Sequence, residues 1–433
     1  MGKKIGFWTV LSIVFGSQIG SGIFILPSTL AGYGKFGLYG WCTAGLGAIL
    51  IAMVFAELCS RFPATGGPYV YVKKVFGQLP GFFIGWAYWL VSSVSNTVLV
   101  ISAISYLSPF LGSETALQCL FFETLLVLAM AWINCKGVEF SGTMEFILSF
   151  IKFATFVIVP CILFSQFDSS NIGMSEQYTS LSGIKLVDIV TVFCFWGFIG
   201  VECATTPAES VINPSKTIPL AIVLGTFGVA VVYLINSAAV MGVVPYNVLE
   251  TSAAPFVDAI EVVVGKNTSL LMSFIASVVC IGTLNAWILT SAQISLGLAN
   301  DGLLPKMFGM KNKNGAPQNS VLVCCFGMIP ILVMTMDKTL AAQISNIIDF
   351  SVKTFVIIYM CCTLALLKIL ISEKKIFKTF LAIVALLFCL QILLDGSIKS
   401  LFISSIFFMS GVIMLPYFKK QSKRKVKLVE AKN

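Results

Sequence analysis

Twelve apolar stretches, most of them about 20 residues or longer, follow one another along the chain: 7–32, 37–60, 80–110, 115–134, 144–165, 186–212, 217–243, 268–299, 319–336, 341–369, 377–394 and 397–417. A helix of about 20 apolar residues crosses the hydrocarbon core of a bilayer. Only helices and closed barrels can pair every backbone group in that medium. The pattern predicts an all-α membrane protein of 12 transmembrane helices. Only 11% of the residues are charged, whereas a domain facing water needs about 25%. The longest polar connections are 61–79, 166–185, 244–267 and 300–318. None is long enough to be a separate soluble domain, so one transmembrane domain is expected over 1–433. The first stretch is too long for a signal peptide and lacks a small-residue cleavage site.

Charge fixes an expected orientation. With the N-terminus inside, the inner loops carry Lys3, Lys4, Arg61, Lys73, Lys74, Lys136, Lys216, Lys306, Lys311, Lys313, Lys368, Lys374, Lys375, Lys378 and the tail. The outer loops carry Lys35, Lys185, Lys266, Lys338 and Lys399. The positive-inside rule therefore puts both termini in the cytoplasm of a cell whose inner membrane holds the chain. The basic run Lys419 to Lys427 reads as a topology determinant, or as a contact for anionic lipid. The excess of +9 reflects this bias and implies no nucleic-acid partner.

The chain has no His, which removes the commonest proton shuttle and metal ligand. Its 13 Cys residues show no zinc-type spacing and mostly sit in apolar runs as small hydrophobes. No cofactor and no metal are expected. An intramembrane protease would need Ser–His, paired Asp or a zinc motif, and none is visible. A channel would show a filter motif or an acidic ring, also not visible.

Two stretches do not read as continuous helices. The first contains Gly16, Gly20, Ser21 and Gly22, then Pro27; the sixth contains Gly197 and Gly200, then Pro207. Glycine and proline weaken helix interiors. Unwound backbone in lipid is tolerated only where a ligand or buried water pairs with it. Broken first and sixth helices, five spans apart, point to an inverted-repeat transporter. Close helix crossings through small residues are the other reading. A half-helix N-terminus can hold a carboxylate, and the free carbonyls of a facing C-terminus can hold an amine. This favours an amino acid as substrate. Unwinding is expected near Ser21 and Gly200.

These residues also carry a resemblance. Gly20-Ser21-Gly22-Ile23-Phe24 with Pro27 is similar to the first-helix motif of the amino acid–polyamine–organocation superfamily. Glu57-Leu58, Pro63, Gly66-Gly67-Pro68-Tyr69 and Tyr71 resemble its motif from helix 2 into the next loop. Trp196-Gly197-Phe198-Ile199-Gly200-Val201-Glu202, Asn213-Pro214, Ile218-Pro219 and Asp301-Gly302-Leu303-Leu304-Pro305 resemble its sixth helix and later loops. The likeness is greatest to the basic amino acid/polyamine antiporters.

The resemblance implies a leucine-transporter-like fold: repeats over 7–165 and 186–369, two further helices over 377–417 and a basic tail over 418–433. It implies transport of basic amino acids such as arginine, ornithine or lysine, with proton-coupled symport of neutral amino acids and polyamine exchange as alternatives. Protons and a second copy of the chain are candidate partners. Ser21 and Gly22 would border the substrate carboxylate, Trp196 would gate, and Asn96 and Trp287 would line the pocket. Ile19, Ser92, Gly197, Ile199 and Gly200 complete the expected lining. Glu202 would be the proton- or amine-linked carboxylate and Tyr359 a further gate. Trp41, Trp86 and Trp89 fit packing or interface roles.

Charges inside a membrane need a partner or a function. Asp349 and Lys353 are four apart and expected to share a face. Lys152, midway along the fifth stretch, resembles a Lys of proton-coupled relatives that stands where sodium-coupled ones bind the ion. That implies a brace between helices 1 and 8 and no sodium dependence. Lys353 has no such counterpart. Glu123 and Glu145 are expected near helix ends, reaching toward the surface. The interior then counts Glu202 and Asp349 against Lys152 and Lys353, a neutral balance suited to a zwitterion or an amino acid with one extra charge.

Overall fold

The computed structural model describes residues 4–112, 115–252, 254–265, 268–336, 340–395 and 398–414. The tail from Lys419, and Lys3, Lys266 and Lys338, lie outside them, as does the side chain of Asp349, so its expected pairing with Lys353 lies outside the described residues. Among the described residues every regular element is helical. Two isolated bridges, Ile5 with Val211 and Tyr33 with Met174, are the only β-type pairings there.

Among the described residues ten helices are long and apolar enough to cross a membrane, eleven if a bent pair near the N-terminus counts as one span. That pair is α1 (Phe7–Gln18) and α2 (Ser21–Ala31), which meet at 41°. The spans that follow are α3 (Lys35–Arg61), α5 (Gln78–Leu111), α6 (Ala116–Cys135), α7 (Val138–Leu163), α8 (Gly183–Phe195) with the turns after it, α9 (Pro214–Val243), α12 (Ser269–Asn300), α13 and α14 (Gln318–Phe326 and Met328–Thr335), α15 (Leu340–Ser372) and α16 (Ile376–Leu394). The last apolar stretch, α17 (Ile398–Ser410), is shorter.

The connections hold more structure than their polarity predicts. Residues 61–79 contain α4 (Pro68–Phe76), opened by a proline at its first turn, where no intrahelical N–H is needed. Its Tyr69, Val70, Tyr71 and Val72 are buried, while Lys73 pairs with Asp301 at 2.6 Å. Residues 244–267 contain α10 (Tyr246–Leu249) and α11 (Pro255–Val264).

Where α3 and α15 end and α16 begins, an ionic clasp forms. Arg61 binds Glu57 at 2.6 Å and Glu373 at 2.5 Å, and Lys378 binds Glu57 at 2.8 Å. Arg61, and after it Lys375, hold the Glu373 carboxyl down to about 2. A depressed carboxylate stabilises the fold above its ordinary value, about pH 4, and loses that contribution only as pH falls toward its folded value.

Candidate functional site

The first break follows from Gly20. Helix α1 ends when Ile19 turns extended (ψ 96°), and Gly20 (φ −132°, ψ −147°) lets the chain restart as α2. The interruption falls one residue before Ser21. A helix C-terminus leaves four carbonyls without intrahelical donors. Here Gly16, Ser17, Gln18 and Ile19 each receive a side chain from another element. Lys152 donates to the Gly16 carbonyl (2.9 Å), Trp287 Nε1 to Ser17 (2.9 Å), Tyr233 to Gln18 (2.7 Å) and Thr283 to Ile19 (2.6 Å). These carbonyls are therefore not free, which corrects the expectation from the sequence: each already accepts one donor from α7, α9 or α12 and keeps at most one lone pair for an amine.

In the sixth span α-helical geometry stops at Phe195. A 3-10 turn spans Trp196–Phe198, Ile199 is extended, and Gly200 has φ +111°, a conformation side chains rarely allow. Short 3-10 turns at Cys203–Thr205 and Ala208–Ser210 follow instead of a second α-helical half. The two breaks are tied together. Ser17 Oγ donates to the Gly200 carbonyl at 3.0 Å, and Tyr233 bridges the carbonyls of Gln18 and Gly197.

Between the breaks lies a cavity of about 40 Å³, room for about three waters at roughly 10–15 Å³ each. Of the residues singled out from the sequence, Ser21, Gly22, Asn96, Trp196, Gly197, Ile199 and Trp287 line it. Ile19, Ser92 and Gly200 do not: the Ile19 carbonyl bonds Thr283, Ser92 accepts from Ser291 (2.7 Å), and Gly200 N–H donates to Tyr359. Ser17, Gln18, Gly20, Ser95, Leu99, Thr283 and Phe355 also line the cavity and were not expected. Two buried lining side chains have unpartnered polar atoms: both amide atoms of Asn96, and Oε1 of Gln18, whose Nε2 donates to Thr226. The N-terminal amides of α2 open beside them, and no side chain caps them.

The ring of Trp196 lies against Gly22, where an added Cβ would sit 3.1 Å from Cδ1. A molecule the size of lysine can enter only if such rings move. Trp196→Leu and Trp287→Leu are expected to raise the KM of uptake by up to about thirtyfold, the upper end of cation–aromatic stacking. Trp86→Leu should transport like the parent, because Trp86 bonds Ser410 away from the cavity. Equal uptake by all three variants would move the pocket elsewhere. Trp41 and Trp89 pack, on Tyr233 and beside Cys324.

Glu202 and Lys152 lie behind the cavity wall, apart from each other. Glu202 is fully buried and accepts from Tyr88 (2.6 Å) and Tyr359 (2.5 Å). Lys152 faces Glu145 at 3.9 Å and donates to Thr283 at 2.8 Å. Glu145 is a correction: it does not reach toward the surface but has 0% exposure, with Ser149 on one oxygen and Asn285 on the other. Glu123 is also buried. The neutral interior balance omitted Glu145, so it no longer bears on substrate charge. Lys353 is buried as well.

Comparison with known proteins agrees with this architecture. A profile for the family described as "Amino acid permease" matches residues 5–426. A cadaverine/lysine antiporter of Escherichia coli (strain K12) is 26% identical over 434 residues, covering 98% of this chain and 96% of that protein. A putrescine transporter of Haemophilus influenzae is 27% identical over 374 residues, covering 86% of each. Broken spans around a cavity, a bundle of apolar helices and a match over nearly the whole length lead to one assignment: the chain belongs to the amino acid permease family, multi-pass membrane proteins that transport amino acids and amines.

Proposed function

We propose that this protein exchanges basic amino acids such as lysine, ornithine or arginine across the inner membrane by alternating access. The observation that carries this is the pairing, in one cavity, of α2's uncapped N-terminal amides with unpartnered amide oxygens on Gln18 and Asn96. The amides at Ser21 and Gly22 would hold the α-carboxylate. The α-amino group would donate to Gln18 Oε1 and Asn96 Oδ1, because the main-chain carbonyls of residues 16–19 already have donors. Trp196, Trp287 and Phe355 would flank the side chain, with Gly197 and Ile199 completing the wall. Ile19, Ser92 and Gly200 would act one layer out, through the backbone and hydroxyl bonds that shape the break. The relatives' substrates, lysine with cadaverine and putrescine, support a cationic substrate.

The same proposal covers architecture. Twelve spans would form inverted repeats over 7–165 and 186–369, then two helices over 377–417 and a basic tail over 418–433, with both termini cytoplasmic. Lys152 would stand where a sodium ion sits in sodium-coupled carriers, and Glu202, with Tyr359, would couple transport to protons. Lys353 and Asp349 would supply further charge on the tenth span.

A second reading is proton-coupled uptake of neutral amino acids. It is favoured by one observation: among the described residues no carboxylate lines the cavity, so a second positive charge on the substrate would have no counter-ion from them there. Proteoliposomes separate the two. Labelled lysine uptake should rise several-fold with lysine, ornithine or cadaverine inside and should be unchanged when choline replaces sodium. Uptake of neutral amino acids driven only by a proton gradient, with no response to internal lysine, would overturn exchange of basic amino acids.

A further inference from the structure

A second cavity, of about 370 Å³, lies on the flank of the bundle. Leu50, Met53, Val54, Glu57 and Ser60 of α3 form one wall, and Pro219 and Val223 of α9 another. Leu366 and Leu370 of α15, with Phe377, Lys378 and Leu381 of α16, close it. The positions on α3 recur at helical spacing, so the groove runs along that helix. From residue 50 to residue 60 it extends about 15 Å at 1.5 Å per residue. That length matches the hydrocarbon depth of one leaflet, half of about 30 Å.

The groove has a polar end, and the fold locates it. Helices α3 and α15 end there, while α9 and α16 begin. All four termini belong to one membrane face. Segments 57–61, 214–219 and 373–378 at this end carry five cations, Arg61, Lys216, Lys374, Lys375 and Lys378, against two carboxylates, Glu57 and Glu373. Both carboxylates are already clasped by Arg61, Lys375 and Lys378. Lys216 lies one turn before Pro219 on the same face of α9 and is exposed. Lys378 is itself part of the groove wall and half exposed. An apolar slot of leaflet depth, ending in excess positive charge, is complementary to one molecule class.

We propose that this groove binds an anionic phospholipid. One acyl chain lies between α3, α9, α15 and α16, and the phosphate sits between Lys216 and Lys378. The lipid bridges helices that the ionic clasp also joins, so it reinforces the seam at its membrane-facing side. This site is separate from the substrate cavity and does not depend on which molecule is transported.

The test is native mass spectrometry of the intact protein released from nanodiscs of phosphatidylglycerol and phosphatidylcholine. One phosphatidylglycerol per chain should survive release, in preference to phosphatidylcholine. Lys216→Gln and Lys378→Gln should each lower its retention about fivefold, and the pair about thirtyfold, on the usual contribution of one lysine near an anionic surface. Val223→Trp, which fills the slot and leaves the charges in place, should abolish retention. Inorganic phosphate at millimolar excess should not displace the lipid, since it cannot fill the slot. Equal retention of both lipids, displacement by phosphate, or unchanged retention in the double lysine variant or in Val223→Trp would each overturn the assignment.

Discussion

Lys152→Ala should abolish transport at every pH from about 5 to 8, the range over which a switch near neutrality would act. The ammonium makes three contacts at once: the Gly16 carbonyl at the end of α1, the Thr283 hydroxyl on α12 and the Glu145 carboxylate on its own helix. Thr283 in turn donates to the Ile19 carbonyl. Removing the lysine therefore takes away the α7 donor to the broken end of α1 and, with it, the bond that holds α7 to Thr283 of α12. It also leaves Glu145 buried without its cation, which costs about 3–5 kcal/mol. A loss of transport could thus be a loss of folding. The paired variant Glu145→Gln with Lys152→Met removes both charges together and should restore the melting temperature without restoring uptake. Uptake by that paired variant would show that the brace is dispensable. In the parent, sodium and choline buffers should give the same initial rate.

Glu202→Gln should flatten the pH dependence of uptake while leaving exchange measurable. Glu202 is the titratable carboxyl at the second break, and its two oxygens take hydroxyl donors from α5 and α15. Tyr359 also receives the Gly200 N–H, so the charge on Glu202 is connected to the one positive-φ residue of the sixth span. Glutamine keeps the shape and one acceptor oxygen but cannot change charge. Losing one hydrogen bond to a charged group, about 1.5–3 kcal/mol, should slow exchange by tenfold or more. Initial rates across the pH range in Glu202→Gln, set beside Tyr359→Phe, decide the matter. An unaltered profile in Glu202→Gln would remove this carboxyl from the coupling. Tyr359→Phe should keep a pH response but lower the rate.

The two breaks were legible from the sequence because their cause is local. Gly20 and Gly200 stand inside apolar runs: Gly200 takes a positive φ that glycine most readily permits, and a Cβ on Gly20 would fall 2.9 Å from Thr283 Cγ2. The long spans were legible for the same reason, since hydropathy is summed along the chain. What escaped depends on partners distant in sequence. Glu145 and Lys152 are seven apart, two turns along one face of α7, a spacing that a search limited to four residues passes over. The seal on the carbonyls of residues 16–19 needs donors from three other helices, which no local pattern announces. Gln18 was missed because a single amide between glycines carries no signal until its unpartnered oxygen is seen at the cavity wall. Helix α4 does not stand out in the sequence because its lysines mask the buried Tyr69 to Val72.

The Glu145–Lys152 pair occupies the room that side chains would take on neighbouring helices. A Cβ on Gly16 would fall 1.7 Å from a Glu145 oxygen, and one on Gly282 would fall 2.7 Å from Lys152 Cε. The four positions are therefore constrained as a set. No residue larger than glycine can be accepted at 16 while glutamate remains at 145, nor at 282 while lysine remains at 152, without displacing the charge. A larger residue at either glycine fits only if the end of the facing charged side chain moves away from its present partners. A library that randomises Gly16 or Gly282 alone should therefore return mainly variants in which the end of Glu145 or Lys152 has moved.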